Sequence, residues 1–328
     1  MDNLAALGLL ALGFVLLVAG AETMVRYASR LGLHYGLKPM MIGATIVAFG
    51  TSAPEFVVSF LAAIDGRPDM ALGNAVGSNI TNIGLVLGLT AAIAPIPVMR
   101  QIIKAEYVSA LAATALVVLV AWDGAIDRLD GFVLILAFTV FFVFYTHQAI
   151  VKRSKKGEET VEVLTGHRLG KPWISWILTI LGIALLLLGA DMVVAGASAI
   201  ALNMGMSEAA VAATIVALGT SLPEVAASVV AALKREHELA VGNVLGSNLF
   251  NMLFVLGPSA IIVPIRVQGE LVYAHLAIML GITILLFPFL VSGKTIGLRS
   301  GLTFLTVYVA FFLLNAGVEL GWVQLPLW

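Results

Sequence analysis

Long apolar stretches, separated by short polar or turn-like segments, run along this 328-residue chain. A membrane hydrocarbon core about 30 Å thick needs roughly 20 apolar residues in a helix that crosses it, and stretches of about this length recur throughout the sequence. The pattern therefore predicts an all-α membrane protein with ten transmembrane helices. The predicted spans are residues 4–25, 39–63, 70–94, 104–122, 131–150, 173–198, 207–232, 239–263, 270–291 and 300–319.

One segment of the chain occurs twice. Residues 43–88 and 212–257 align without a gap at an offset of 169, and 23 of the 46 aligned positions are identical. Polar residues repeated inside apolar spans are typical of transporters built from two repeats, with the site where the repeats meet. The sequence predicts a first repeat at 1–150, a linker at 151–171 and a second repeat at 172–328. Because each half has an odd number of spans, the two repeats are expected to insert in opposite orientations.

The basic residues predict how the chain is oriented. When the loops are assigned to alternate sides of the membrane, 15 of the 18 Lys and Arg residues fall on one side. Short cytoplasmic loops are enriched in Lys and Arg, so this side is predicted to be the cytoplasm. Both chain termini are then expected outside.

Composition narrows the possible functions. The chain is 60% hydrophobic and 11% charged, with a net charge of −1, and its mean hydropathy is +1.05. This balance argues against nucleic-acid binding, which needs a strongly basic surface. The chain contains no cysteine, which excludes disulfides and thiolate metal sites.

Two glutamates carry the first chemical signal. Glu55 and Glu224 are repeat partners and lie inside the predicted second and seventh spans, neither of which contains Lys or Arg. A carboxylate at the centre of a bilayer costs about 2.5–3.5 kcal/mol even on an insertion scale, so it needs a partner there. The expected partner is a bound cation. The alternative is a pair of protonated structural glutamates, each hydrogen-bonded to a neighbouring helix.

The residues before each glutamate add further oxygen ligands. Both repeats read Gly-Thr-Ser-x-Pro-Glu, and the proline cannot donate a hydrogen bond to the carbonyl four residues earlier. Thr51 and Ser52 precede Glu55 by four and three residues, which puts the three side chains near one helix face. Carboxylate, hydroxyl and carbonyl oxygens suit Ca²⁺ and Na⁺, whereas Zn²⁺ and Cu favour the His and Cys ligands that are absent from this segment.

A second motif follows in each repeat, Gly-Asn-x-x-Gly-Ser-Asn-x-x-Asn. Three of its polar residues in each repeat are spaced four residues apart and form a stripe along one side of the helix: Asn74, Ser78 and Asn82, and likewise Asn243, Ser247 and Asn251. The glycines of the motif are expected to pack helices together, and Asn79 and Asn248, which lie off the stripes, are expected to hydrogen-bond between helices. The other matched acids, Glu22 and Asp191, are expected to form helix-end hydrogen bonds or to line an access path. The motif residues predicted to coordinate ions are Ser78, Asn82, Ser247 and Asn251.

These duplicated motifs resemble the repeats of the cation/Ca²⁺ exchanger superfamily, most closely the prokaryotic sodium/calcium exchanger (antiporter) family. The resemblance covers essentially the whole chain. It implies a secondary active antiporter in which Na⁺ entry drives Ca²⁺ exit by alternating access, with the first and sixth spans sliding across the core. It also implies a bacterial or archaeal cytoplasmic (inner) membrane. The implied ligands are the carbonyls of Ala48 and Ala217 and the side chains of Thr51, Ser52, Glu55, Ser78, Asn82, Thr220, Ser221, Glu224, Ser247 and Asn251.

The sequence leaves more than one choice for the coupling ion, which is the ion exchanged for Ca²⁺. Some relatives, including K⁺-dependent exchangers, carry Asp where this chain has Asn251, so the resemblance favours K⁺-independent exchange. H⁺-coupled relatives usually have a glutamate near the position of Ser78, so its absence argues against H⁺ coupling. Antiport of Ca²⁺, or another divalent ion such as Mn²⁺, against H⁺ stays as the second hypothesis. Other hypotheses are a cation channel, an intramembrane hydrolase or a receptor without transport. We expect no enzymatic activity, no cofactor and no obligate protein partner; the expected partners are Ca²⁺, Na⁺ and the lipid bilayer.

Overall fold

The computed structural model describes residues 1–98, 106–151, 171–267, 269–292 and 295–319. The first half of the chain begins with a long helix, continues with two helical segments that each contain a π-helical section, and ends with two simpler helices. Its elements are α1 (Asn3–Tyr35), α2 (Pro39–Ile42), π1 (Gly43–Val47), α3 (Ala48–Thr51), α4 (Ala53–Ile64), α5 (Pro68–Thr81), π2 (Asn82–Leu87), α6 (Gly88–Ile93), α7 (Val108–Val120), β1 (Ala125–Ile126) and α8 (Arg128–Val151).

The second half has the same order of elements. Its π-helical sections begin at residues 212 and 251, which are 169 residues after the corresponding sections of the first half at 43 and 82. Its elements are α9 (Pro172–Asn203), α10 (Glu208–Val211), π3 (Ala212–Val216), α11 (Ala217–Gly219), α12 (Leu222–Leu233), α13 (His237–Phe250), π4 (Asn251–Val255), α14 (Leu256–Ile262), β2 (Ile265–Arg266), α15 (Glu270–Val291) and α16 (Leu298–Glu319).

The helix breaks fall at the Thr-Ser-x-Pro-Glu segments. Ser52 has φ −90° and ψ 7°, and the helices on either side of it meet at an angle of 47°. Ser221, its repeat partner, has nearly the same conformation, with φ −92° and ψ 1°. The proline two residues later lacks the N–H that would continue the helical ladder, so each break follows from the local sequence.

The helices only partly test the predicted number of spans. Seven described helices are long and apolar enough to cross a membrane, and an eighth results if the bent pair Pro39–Thr51 and Ala53–Ile64 counts as one span. Shorter apolar helices at Val108–Val120 and Leu222–Leu233 occupy the two other predicted spans. The mainly helical membrane fold is confirmed, while the count of ten and the opposite insertion of the repeats stay predictions.

Part of the orientation argument falls on residues without a structural account. The predicted linker at 151–171 lies almost wholly within 152–170, which is outside the described residues. Several of the basic residues that predict the cytoplasmic side lie in the same segment or in 99–105. The linker and the placement of both termini therefore stay predictions.

The protein core is formed by the central helices of the two halves. The continuous segment α13–π4–α14 is almost completely buried, and α5–π2–α6 is buried along most of its length. Outer helices such as α1, α8 and α16 bury one side and expose apolar side chains on the other, as expected for helices that face lipid. The short strands β1 and β2 pair antiparallel and link the two halves.

The long helices α1 and α9 form a closely packed antiparallel pair. A Cβ atom added at Gly20 would lie 2.3 Å from the backbone nitrogen of Leu186, and one added at Gly189 would lie 2.3 Å from that of Leu17. Distances this short mean that only glycine fits at these positions, which is the usual way for membrane helices to approach closely. The contact makes α1 and α9 a single packing unit.

We expect Gly20→Val to destabilise the protein, because the added side chain must push α9 away from α1. Overpacking of this kind costs about 1–3 kcal/mol and more when backbone atoms must move. Gly8→Val is the matched control, since it lies in the same helix with nothing within 4 Å of an added Cβ. Thermal unfolding in detergent should give a clearly lower Tm for Gly20→Val. Equal Tm values for the two variants would contradict the packing role.

Candidate ion-binding site

The two buried glutamates come from equivalent positions at the start of α4 and α12. Glu55 and Glu224 each lie in the first turn of their helix, and each is 1% exposed. The hydroxyl of Ser52 donates a hydrogen bond to Glu224 Oε1 at 3.2 Å, across the boundary between the repeats. Helix N-termini favour negative charge because their free N–H groups carry partial positive charge. The two carboxyl groups thus belong to one site formed by both halves.

Several buried oxygens of this region have no hydrogen-bond partner among the described residues. Glu55 Oε2 and Glu224 Oε2 are in this group, together with the side-chain oxygens of Asn82 and Asn251. A buried polar atom without a partner costs about 1–3 kcal/mol, so such atoms are rare and need an explanation. A desolvated cation bound among these oxygens would supply the missing partner. The donor set therefore fits a hard cation such as Na⁺ or Ca²⁺.

The first half of the site is tightly held by α13. Thr51 is fully buried, and its hydroxyl contacts Asn243 Oδ1 at 3.1 Å and Ser247 Oγ at 3.5 Å. The same hydroxyl lies 3.4 Å from the carbonyl oxygen of Ala48, which is 1% exposed. The structure therefore brings together three predicted ligand residues from the two halves: Ala48 and Thr51 at the two ends of α3, and Ser247 in α13.

The corresponding part of the second half is more open. Thr220 is half-buried, and its hydroxyl lies 3.4 Å from the carbonyl oxygen of Ala217, which is exposed. Among the described residues, neither Ala217 nor Thr220 hydrogen-bonds to Ser78, although Ser78 is the repeat partner of Ser247. Ala217 and Thr220 are therefore the least buried of the predicted ligand residues, all of which are described by the structure. The remaining predicted side chains, those of Ser52, Glu55, Ser78, Asn82, Ser221, Glu224, Ser247 and Asn251, are all buried.

Asparagines join the two halves beside the site. Asn79 donates to the carbonyl oxygen of Asn248 at 3.1 Å, and Asn248 donates to that of Asn79 at 3.4 Å. These bonds are reciprocal between repeat partners, as expected for two halves related by a two-fold axis. The Asn251 amide also donates to Asn79 Oδ1 at 3.2 Å, which orients the remaining oxygen of Asn251. The predicted helix-joining role of Asn79 and Asn248 agrees with this geometry.

The sequence placed Asn243 and Asn74 in the second motif but did not predict their hydrogen bonds to neighbouring helices. Asn243 bonds both Thr51 and Ser228, the latter at 3.0 Å, and in the other half Asn74 bonds Ser59 at 2.9 Å. Ser59 and Ser228 are identical residues at the repeat offset of 169, so the alignment contained this signal.

Two polar contacts lie away from the ion site, on α1. Glu22 forms an ion pair with Lys234 at 2.7 Å, and Ser29 donates to Glu236 at 2.8 Å. Glu22 therefore forms an ion pair between two segments of the chain and is not part of the ion site. Its repeat partner Asp191 is exposed and has no ion-pair partner among the described residues.

Comparison with known proteins gives a consistent family. The model of the family "Sodium/calcium exchanger protein" matches residues 5–147 and 174–317. A putative antiporter, CaxA of Alkalimonas amylolytica, is 40% identical over 257 residues, which cover 77% of this chain and 79% of that protein. Sodium/calcium exchanger MaX1 of Methanosarcina acetivorans is 30% identical, with 92% of this chain and 96% of that protein covered.

The fold is also similar to solved structures. The sodium-calcium exchanger NCX_Mj, soaked with zero Na⁺ and Ca²⁺, superposes with a TM-score of 0.80 at 31% identity. The superposition covers 94% of this chain and 98% of that one. The same exchanger soaked with 10 mM Na⁺ and 10 mM Sr²⁺ gives a TM-score of 0.81 at 30% identity. The similarity extends over nearly the full length of both chains.

We expect Asn243→Ala to destabilise the protein more than the matched variant Asn74→Ala. Asn243 is fully buried, and its loss removes the hydrogen bonds to Thr51 and Ser228 from a buried region, leaving Thr51 only its longer contacts. Asn74 is only partly buried, so water can replace the lost bonds. The cost for Asn243→Ala should be about 1–3 kcal/mol, measured as thermal unfolding in detergent. A larger effect for Asn74→Ala would contradict the described asymmetry.

Proposed function

The chain belongs to the sodium/calcium exchanger protein family, and on this premise we propose that it is a secondary active antiporter in which Na⁺ entry drives Ca²⁺ exit. The observation that carries the proposal is the pair of buried carboxyl groups, Glu55 and Glu224, with oxygens that lack protein partners. Two ionised carboxylates give the site a charge of about −2, and no Lys or Arg lies in their helices. One Ca²⁺ balances this charge.

The ligand set proposed for these ions combines side-chain and backbone oxygens from both repeats. Na⁺ ions at separate subsites compete with Ca²⁺ for the same oxygens, so the two ions cross in separate steps and exchange results. Support for this comes from the buried hydroxyls and amides that surround the two glutamates. The proposed ligands are the carbonyls of Ala48 and Ala217 and the side chains of Thr51, Ser52, Glu55, Ser78, Asn82, Thr220, Ser221, Glu224, Ser247 and Asn251.

The proposed orientation of the protein in the membrane rests on the distribution of its Lys and Arg residues. We place the Lys- and Arg-rich loops in the cytoplasm and both termini outside, in the cytoplasmic membrane of a bacterium or archaeon. In this orientation the face of the protein that bears Lys234 is cytoplasmic, and the face that bears Arg67 is external. The two repeats then have opposite orientations, with five spans each.

The coupling ion is tested by ⁴⁵Ca²⁺ uptake into proteoliposomes. We expect vesicles loaded with Na⁺ to take up Ca²⁺, because the outward Na⁺ gradient drives exchange, while vesicles loaded with K⁺ or choline take up only the background amount. An imposed pH step should add nothing. Uptake driven only by the pH step would replace Na⁺ by H⁺ as the coupling ion, and a requirement for K⁺ together with Na⁺ would contradict K⁺-independent exchange.

The site is tested by Glu55→Gln and Glu224→Gln. Each variant removes one negative charge and should reduce Na⁺-driven Ca²⁺ uptake to the level of protein-free vesicles. Glu208→Gln is the matched control, since Glu208 is exposed at the start of α10, and it should keep wild-type uptake. Equal reconstitution and a similar Tm establish that the variants are folded. Normal uptake by either site variant would overturn the assignment.

A further inference from the structure

The two repeats are not packed in the same way. A Cβ added at Gly242 would lie 2.4 Å from the carbonyl oxygen of Met40, and one added at Gly246 would lie 2.5 Å from Ala44 Cα. At the matching positions of the first repeat, Gly73 and Gly77, an added Cβ has nothing within 4 Å among the described residues. The N-terminal half of α13 is therefore covered by α2 and π1, while no described residue covers the corresponding surface of α5 in this way.

The ion site shares this asymmetry. Ala48 is 1% exposed, whereas its repeat partner Ala217 is exposed. The covered side is the side on which α2 and α13 begin, next to Lys234. The uncovered side is the side on which α5 begins, next to Arg67. The structure thus has the site closed toward the face that bears Lys234 and open toward the face that bears Arg67.

The packing of the paired helices α1 and α9 is also unequal between the two halves. Helix α1 packs along α12, whereas α9 makes no comparable packing with α4 among the described residues. Because α1 and α9 are joined through glycines, they are expected to move as one unit. The duplicated sequence allows a second state, related to this one by two-fold symmetry, in which the α1–α9 pair packs against α4.

Two polar bonds fix α1 to the turn between α12 and α13. Glu22 Oε1 lies 2.7 Å from Lys234 Nζ, and the Ser29 hydroxyl donates to Glu236 at 2.8 Å. Glu22 and Ser29 are seven residues apart, which is two helical turns, so both lie on the same side of α1. The bonds occur at the closed face.

The matching positions of α9 have the same chemistry but no polar partners among the described residues. Asp191 corresponds to Glu22 and Ser198 to Ser29 at the offset of 169. Asp191 is exposed without an ion pair among the described residues, and Ser198 Oγ is buried without a hydrogen-bond partner. In the turn after α4, Asp65 corresponds to Lys234 and Arg67 corresponds to Glu236, and these two residues pair with each other at 3.5 Å on an exposed surface. The acid and the base of this turn are thus in the reverse order to those of the turn after α12, so its basic residue is Arg67 and not the match of Lys234.

We propose that Glu22–Lys234 and Ser29–Glu236 form a latch that holds the Lys234 face closed, and that Asp191 and Ser198 engage Arg67 in a second latch that closes the opposite face. The proposal rests on the alternating-access antiport proposed above and adds the residues that set the balance between its two states. Since the α1–α9 pair contacts one turn at a time, only one latch is formed in each state. Neither latch touches the ion, so both are positioning contacts.

Cysteine labelling measures the balance between the two states directly, because the chain contains no native cysteine. Ala217→Cys and Ala48→Cys are matched reporters at the open and closed sides of the site. In a detergent solution free of Na⁺ and Ca²⁺, a hydrophilic maleimide should label Ala217→Cys faster than Ala48→Cys. The opposite order would overturn the assignment of the open face.

The two latches predict opposite changes in the labelling rates when the acid of one latch or of the other is replaced by its neutral amide. An exposed ion pair is worth little, so Glu22→Gln should change the ratio of the two states by about two- to fivefold, which slows labelling at Ala217→Cys and speeds it at Ala48→Cys. Asp191→Asn should shift both rates in the other direction, because it weakens the opposite state. The exchanged pair Glu22→Lys with Lys234→Glu should restore the original rates. Asp123→Asn, at an exposed acid outside both latches, is the control and should shift neither rate.

The latches would be overturned if Glu22→Gln and Asp191→Asn shifted the labelling rates in the same direction, or if neither variant shifted them. They would also be overturned if the charge exchange did not restore the original rates. The readout needs neither ion gradient nor flux. If Na⁺-driven Ca²⁺ uptake fails while the labelling rates shift as expected, the proposed ion exchange is wrong and the latches stand. If uptake succeeds while the rates stay unchanged, the latches are wrong and the exchange stands.

Discussion

The structure depends on the cost of burying two carboxyl groups that have no Lys or Arg partner among the described residues. Glu55 and Glu224 are both 1% exposed, and each has one oxygen without a hydrogen-bond partner among the described residues. Such groups are tolerated in a membrane only when they face protein, water or a cation. The broken helices, the buried hydroxyls and the asparagine bridges between the halves all bring oxygen atoms toward this pair. The site therefore explains why irregular helices occupy the centre of the protein.

Much of this site could be predicted from the sequence because its polar residues stand out against an apolar background. The repeat offset of 169 identified the partners Glu55 and Glu224, and the proline of each motif located the helix breaks. The contacts of Asn243 with Thr51 and Ser228 were not predicted. They depend on which face of α13 meets α3, and because α13 is buried on all sides, the sequence pattern does not specify this.

The unequal packing of the halves could not be predicted for a more basic reason. A duplicated sequence describes what the halves share, whereas the positions of α1 and α9 differ between them. Gly73 and Gly242 are the same residue at matched positions, yet among the described residues an added Cβ meets close neighbours at Gly242 and none at Gly73. Likewise, the pairing of Glu22 with Lys234 joins residues from different halves, and nothing in the alignment indicates which of two symmetry-related contacts is formed.

The lack of a fixed cation beside the two glutamates also has an electrical consequence. Under the proposed exchange, a site that holds Ca²⁺ is close to neutral, so the membrane potential does little work on that step. A site without ions carries about two negative charges, and each charge moved through 100 mV changes the energy by about 2.3 kcal/mol, in addition to its desolvation. The unloaded protein is then poorly able to switch sides. The same two side chains that bind the cargo would thus limit futile cycles and keep the two ion gradients coupled.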